Sequence, residues 1–309
     1  MTTQTADQSS NVTKLREAAS SGPRLTARAT FSFQNDTADL SPEIPIIAPS
    51  MAGIADSEPQ KGEDLSGKKK VIFFIGRGKT GKTTLIRWIC ETALSSGSVF
   101  LMADMDPTND TFSKYIDGVA RPDDAGEPAL AVKFLERLLQ HALEQKMSLA
   151  VDMGGGDTTL RSFFKQLPDI VALFESAGFA VVLVFTVGPQ EEDLSPLATM
   201  AALGFHGTVT AIVLNEGLVE VGETRLTAFD RTMRHSAFKA ALTRGAVAVW
   251  MPKLLPAAAV EIRRLQFRDA VEGQTGMGTT PLGPFDRTRV SIWMRNMEAN
   301  FTGIRTWLP

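Results

Sequence analysis

The sequence predicts an α/β fold: a mostly parallel sheet with helices on both faces. Three observations carry this. Apolar runs of strand length alternate with stretches of helical periodicity over most of the chain. Several runs are apolar at every position, as expected of strands buried on both faces. The first of them, Val71-Ile72-Phe73-Phe74-Ile75, passes through a glycine-rich turn directly into a helical pattern.

That turn comes first in the order of argument. Gly76-Arg77-Gly78-Lys79-Thr80-Gly81-Lys82-Thr83 fits the spacing G-x-x-x-x-G-K-[ST] in its required strand-loop-helix context. Glycines let backbone N–H groups curl around phosphate oxygens, and the following helix N-terminus adds its positive end. The residues from Gly76 through Thr84 are therefore the expected phosphate cradle. Lys82 is placed to reach the β- and γ-phosphates and the Thr83 hydroxyl to ligate magnesium. A nucleoside triphosphate is the predicted ligand.

Upstream, residues 1–67 are rich in Ser, Thr, Ala and Pro. They read as a mostly disordered tail, with Ile44-Pro45-Ile46-Ile47 a short apolar island. The domain is expected to run from Lys68 to the end. After the helix at 83–95 come a strand at 98–103, ending in Asp104-Met105-Asp106-Pro107, and a helix carrying Ala131, Phe134, Leu135, Leu138 and Ala142. Leu149 to Asp152 is a strand that runs into Met153-Gly154-Gly155-Gly156. Helices fill 158–177, with Pro168 starting the second. Strands at 179–186, 209–214 and 246–250 alternate with helices at 190–203, 228–243 and 256–267. Gly273 to Pro284 is a loop. A last helix, from about Phe285 to Phe301, gathers Val290, Trp293, Met294, Met297 and Phe301 on one face, which is expected to pack back on the body of the chain.

Composition narrows the classes. The net charge of −3 excludes a generally basic nucleic-acid coat, and the 43% hydrophobic content is ample for a core. A single cysteine, Cys90, can form neither an intramolecular disulfide nor a thiolate cluster, so an iron–sulfur carrier is ruled out. With no apolar run long enough to span a membrane and no signal-peptide core, a soluble, cytoplasmic protein is expected. The three histidines are too scattered to form a metal triad.

Acidic residues complement the phosphate loop. Asp104 and Asp106 sit just past one strand end, and Asp152 ends another. A triphosphate–magnesium site needs a carboxylate near the metal and a group to hold the attacking water, and these positions supply both. Helix caps or turn formers are the ordinary use of aspartates at strand ends.

The order phosphate loop, D-x-D-P, apolar strand ending Asp-x-x-x-Gly, then Asn215 after a late strand, resembles the MinD/ParA group of P-loop ATPases, over about residues 70–255. The resemblance implies a slow, partner-stimulated ATPase, dimeric with ATP, that serves plasmid or chromosome partition, plasmid stability or conjugative transfer. It implies ATP and Mg2+ as cofactors. Its implied partners are a second copy, non-specific DNA, and a centromere-binding or conjugation adaptor protein.

It further implies that Asp106 orients the hydrolytic water and that Asp104 lies near metal and phosphates. Asp152 would hold magnesium through water. Asn215 would recognise adenine, with Pro252 beside the base; a plain turn asparagine is the competing reading. The family's first loop lysine, which reaches across a dimer, is here Arg77, and its second glycine is Lys79. Arginine can serve the same phosphate. The alternatives are a lost contact across the dimer and a solvent-facing basic residue. Arg263, Arg264 and Arg268, on the expected helix at 256–267, are candidate DNA contacts, with a solvated helix face as the alternative. A P-loop kinase or ligase acting on a small metabolite is the competing function, although no substrate pocket for it is identifiable.

Overall fold

A computed structural model describes residues 60–106, 112–122, 127–154 and 158–309. Six strands form one sheet: β1 Lys69–Ile75, β2 Leu101–Asp104, β3 Leu149–Asp152, β4 Phe179–Val187, β5 Val209–Asn215 and β6 Val247–Met251. All neighbours are parallel, in the order β2-β3-β1-β4-β5-β6. The phosphate-loop strand β1 is central, and the chain winds outward from it to both sides. In such sheets the crevice beyond the carboxyl ends of the central strands is the place for a ligand.

The helices are α1 Lys82–Ser95, α2 Pro128–Gln145, α3 Thr158–Gln166, α4 Ile170–Ser176, α5 Ser195–Ala202, α6 Arg225–Ala228, α7 Asp230–Arg234, α8 Ser236–Thr243, α9 Ala257–Ile262, α10 Phe267–Glu272 and α11 Pro284–Phe301. Successive strand residues point to opposite faces, so each strand feeds two cores. Ile72, Phe74, Val182 and Val184 pack with Ile86, Ile89 and Cys90 of α1 and with Val290, Trp293, Met297 and Phe301 of α11. Val71, Phe73, Ile75, Leu183 and Phe185 pack with residues of α2, α3, α4, α5 and α8. The α/β architecture expected from the sequence is thus the one formed. The apolar face of α11 does close on its own chain.

Several helices are broken where continuous ones were expected. The stretch 228–243 lies in three short helices, α6 to α8, and the imidazole of His235 caps α8 by accepting from the Ala237 N–H at 3.2 Å. The stretch 190–203 opens with a 3-10 turn, Glu191–Leu194, before α5. Strand β2 begins only at Leu101. The helix expected at 256–267 ends at Ile262, and Arg264 turns left-handed at φ 48°. Val260 and Leu265 of that stretch are buried, whereas Ala258 and Ile262 are exposed.

The packed body also starts upstream of Lys68. Gly62 donates its N–H to the Gly303 carbonyl at 2.9 Å, Leu65 is fully buried, and the Trp307 indole donates to the Glu63 carbonyl at 2.7 Å. Of the tail expected over residues 1–67, residues 1–59 with the apolar island lie outside the described residues.

Candidate functional site

The loop between β1 and α1 is closed from inside by hydroxyls. Thr80 is buried; its Oγ1 donates to the Arg77 carbonyl at 2.8 Å and lies 2.9 Å from Oγ1 of Thr186 on β4. Gly76 is sterically required, because a Cβ there would stand 2.8 Å from the Thr186 carbonyl oxygen and overlap the Thr186 hydroxyl. Gly81 is required twice over: its φ is +95°, and a Cβ would overlap the Asn215 carboxamide. Lys79 takes φ 69°, a left-handed conformation in which the glycine of the resembled family would be unstrained. The α1 N-terminus that follows has no side-chain cap and no acidic residue in its first turn. Lys82 is buried at the base of the loop, and Thr83 and Thr84 are half-buried.

The acidic groups converge on that lysine. Asp104 and Asp152 are register partners at the ends of β2 and β3, and both are buried. The Asp104 carboxylate accepts the Asp106 N–H at 3.1 Å and the Ser113 N–H at 3.4 Å. That of Asp152 accepts the Gly154 N–H at 3.3 Å. Burial pushes the Asp152 carboxyl up to about 6; Lys82 opposes the rise, and the charges of Asp104 and Asp106 add to it. Burial raises Asp104 as well. Asp106 is half-buried against Gly154, where an added Cβ would come 3.1 Å from the Asp106 Cα. Lys82, Asp104, Asp106 and Asp152 therefore share one charged centre beside the loop.

The other expected residues make contacts within the chain that the sequence reading did not foresee. Arg77 does not stand free: its guanidinium contacts Asp193 of the same chain at 3.3 Å. Asn215 donates from Nδ2 to the Thr80 carbonyl at 2.9 Å, while its Oδ1 accepts the Gly217 N–H at 2.8 Å. Each end of the carboxamide that would read adenine thus makes one bond to the protein, and Asn215 ties the loop between β1 and α1 to the end of β5. Pro252 follows β6, and its carbonyl accepts the indole N–H of Trp293 on α11 at 2.8 Å. The arginines expected on one helix face are separated by the break at Arg264. Arg263 donates to the carbonyls of Thr280 and Ala259, each at 3.1 Å, and Arg268 pairs with Glu272 at 2.8 Å.

Sequence reasoning missed Thr186, Asp193 and Ser113. Thr186 left a trace, as the lone polar residue near the end of an otherwise apolar strand. Asp193 left none, because it is one of three successive acids, Glu191-Glu192-Asp193.

The residues present fit a magnesium-bound polyphosphate. The cradle is empty of side chains by steric necessity at Gly76 and Gly81, the helix N-terminus is uncapped, and Lys82 supplies a buried positive charge. No group of three or more His, Cys, Asp and Glu among the described residues is arranged to hold a metal by itself. A cation here would take the Thr83 hydroxyl, the Asp104 or Asp152 side, phosphate oxygens and water, which suits magnesium's retention of waters.

No family model and no curated protein matches the chain. Among solved structures it is similar to the signal recognition particle receptor FtsY from Elizabethkingia anophelis in complex with GDP, with 16% identity and a TM-score of 0.38, over 62% of this chain and 60% of that one. The chain thus spans less than two thirds of that protein's length. It is also similar to the cell division protein FtsY from Thermotoga maritima, with 14% identity and a TM-score of 0.40, over 76% of this chain and 71% of that one. FtsY from Mycoplasma mycoides gives 12% identity and a TM-score of 0.37, over 79% and 72%. No membrane-spanning helix occurs among the described residues.

Proposed function

We propose that the chain is a nucleotide-dependent switch of the ParA/MinD type, which binds ATP with Mg2+ and hydrolyses it slowly. The single observation that carries this reading is the convergence of buried Lys82 with Asp104, Asp106 and Asp152 beside a loop sterically emptied for phosphates. Lys82 and the loop N–H groups hold the β- and γ-phosphates. Thr83 and the Asp104–Asp152 pair hold the magnesium through oxygen and water, and Asp106 orients the attacking water. Each end of the Asn215 carboxamide makes one bond within the chain, so the choice of ATP rests on the order of motifs.

The proposal extends to a dimer formed with ATP and undone by hydrolysis, serving plasmid or chromosome partition, plasmid stability or conjugative transfer. Arg77 would leave Asp193 to meet the partner's phosphate. The exchange leaves the Asp193 carboxylate, only 10% exposed, without its cation, so the contact with the partner's phosphate must offset more than the loss of a surface pair. A centromere-binding or conjugation adaptor protein and non-specific DNA complete the proposed partners. With Arg263 and Arg268 engaged within the chain, Arg264 is the most available basic contact.

Size measurement of Asp106→Ala with and without MgATP, beside turnover of the unaltered protein, tests this reading. A nucleotide-dependent dimer and turnover far below the enzyme median of about ten per second are expected. A monomer in both states, with fast phosphoryl transfer to a small acceptor, would favour a metabolite kinase or ligase.

A further inference from the structure

The break between α9 and α10 leaves backbone groups that α1 satisfies. Arg87, 2% exposed, donates to the Leu265 carbonyl at 2.8 Å. Glu91, one helical turn on, accepts the Phe267 N–H at 2.6 Å and contacts Arg87 at 3.4 Å. Two residues of the phosphate-loop helix therefore hold the α9–α10 junction from outside.

The same guanidinium reaches the acidic side of the site. Its carbon lies 3.4 Å from the ring centroid of Tyr115 and 4.6 Å from that of Phe267, so the cation is held between two aromatic faces. Gln266, in the junction, donates to the Tyr115 carbonyl at 3.2 Å. Tyr115 belongs to the segment Phe112–Ile116, anchored by buried Phe112 and Ile116. Two residues earlier in that segment, the Ser113 N–H meets the Asp104 carboxylate.

We propose that Arg87 and Glu91 are positioning residues for the nucleotide chemistry: by fixing Tyr115 they set the segment whose Ser113 N–H orients Asp104, and through the α9–α10 junction they link that setting to the C-terminal helices. This rests on the reading of the loop as a magnesium–nucleotide site. A planar, stacking group is needed because two acceptors and two aromatic faces are served at once, and lysine cannot do this. Loss of the contact lets Asp104 drift while leaving the phosphate loop itself intact. Nucleotide affinity is then preserved and turnover is not.

The chain has only one tyrosine, so 3-fluorotyrosine gives one fluorine resonance that reports Tyr115 alone. In the full-length protein, Mg2+ with a non-hydrolysable ATP analogue is expected to shift that resonance, and Arg87→Lys and Arg87→Gln are expected to abolish the shift. Their Kd by calorimetry should stay within about threefold while kcat falls about ten- to a hundredfold, the scale of a small misplacement near the chemistry. Should Arg87→Gln fail to fold, the unaltered protein's titration and the turnover of Tyr115→Leu decide. A bound analogue with an unmoved resonance, or variants with unchanged kcat, overturns the positioning role. If calorimetry detects neither ATP nor GTP binding to the unaltered protein, the nucleotide reading fails and carries this inference down with it.

Discussion

Asn215→Ala separates a loop clamp from a base reader. The substitution removes two hydrogen bonds, to the Thr80 carbonyl at 2.9 Å and from the Gly217 N–H at 2.8 Å, in a residue only 6% exposed. The bond from the Gly217 N–H is worth about 1 kcal/mol net, and the buried Thr80 carbonyl left without its donor costs about 1–3 kcal/mol. Together these give roughly 2–4 kcal/mol, or a fall in Tm of roughly 5–15 °C for a domain of this size. Because the clamp holds the phosphate loop rather than a base, affinity for ATP, GTP and inorganic tripolyphosphate should fall by a similar factor. Thermal melting and calorimetry with the three ligands read both effects. A variant that melts like the unaltered protein, loses ATP and keeps tripolyphosphate would refute the clamp and restore Asn215 as the adenine reader.

Arg77→Ala should keep nucleotide affinity and lose ATP-dependent dimerisation, read by size with and without MgATP; normal dimerisation would confine Arg77 to its contact with Asp193. Removing residues 1–59 should leave Tm nearly unchanged by its composition. Removal through residue 66 should lower Tm by several degrees, since it takes away buried Leu65 and the strand of contacts on Trp307. Acidity should stabilise the fold. Glu91 is raised from 4.5 to about 7 and Asp152 from 3.8 to about 6, chiefly by burial. The folded state then keeps protons that the unfolded chain has released, so stability falls as pH rises through roughly 4 to 7, by on the order of 3 kcal/mol per group at most. Melting at pH 5 and pH 8 should show the higher Tm at pH 5. Glu91→Gln should shrink the difference, and an unaltered difference would remove Glu91 from the account.

The sheet was legible because its strands are apolar throughout, a pattern set by burial on both faces and independent of distant partners. The glycine-rich turn between β1 and α1 was legible because its spacing and its strand-loop-helix context are local. What escaped depends on contacts across the fold. The periodicity of residues 256–267 continues through Leu265. The donor and acceptor that make a break tolerable there are Arg87 and Glu91, whose contacts lie 178 and 176 positions away in sequence. Asn215 was singled out as a site residue, but its partner Thr80 is 135 positions distant, and nothing local distinguishes a carboxamide that reads a base from one that holds a loop. Arg77 was recognised as unusual. Its partner Asp193 was hidden among neighbouring acids, and only the fold brings the two within 3.3 Å.

Calorimetric titration of MgATP and MgGTP into the unaltered protein and into Lys82→Ala tests the central claim most directly. The unaltered protein should bind at least one of the two. Lys82→Ala should bind it about ten- to a hundredfold more weakly, the loss of a charge-assisted phosphate contact worth about 1.5–3 kcal/mol. Equal affinity in the two proteins, or no binding of either nucleotide to the unaltered protein, would contradict the claim.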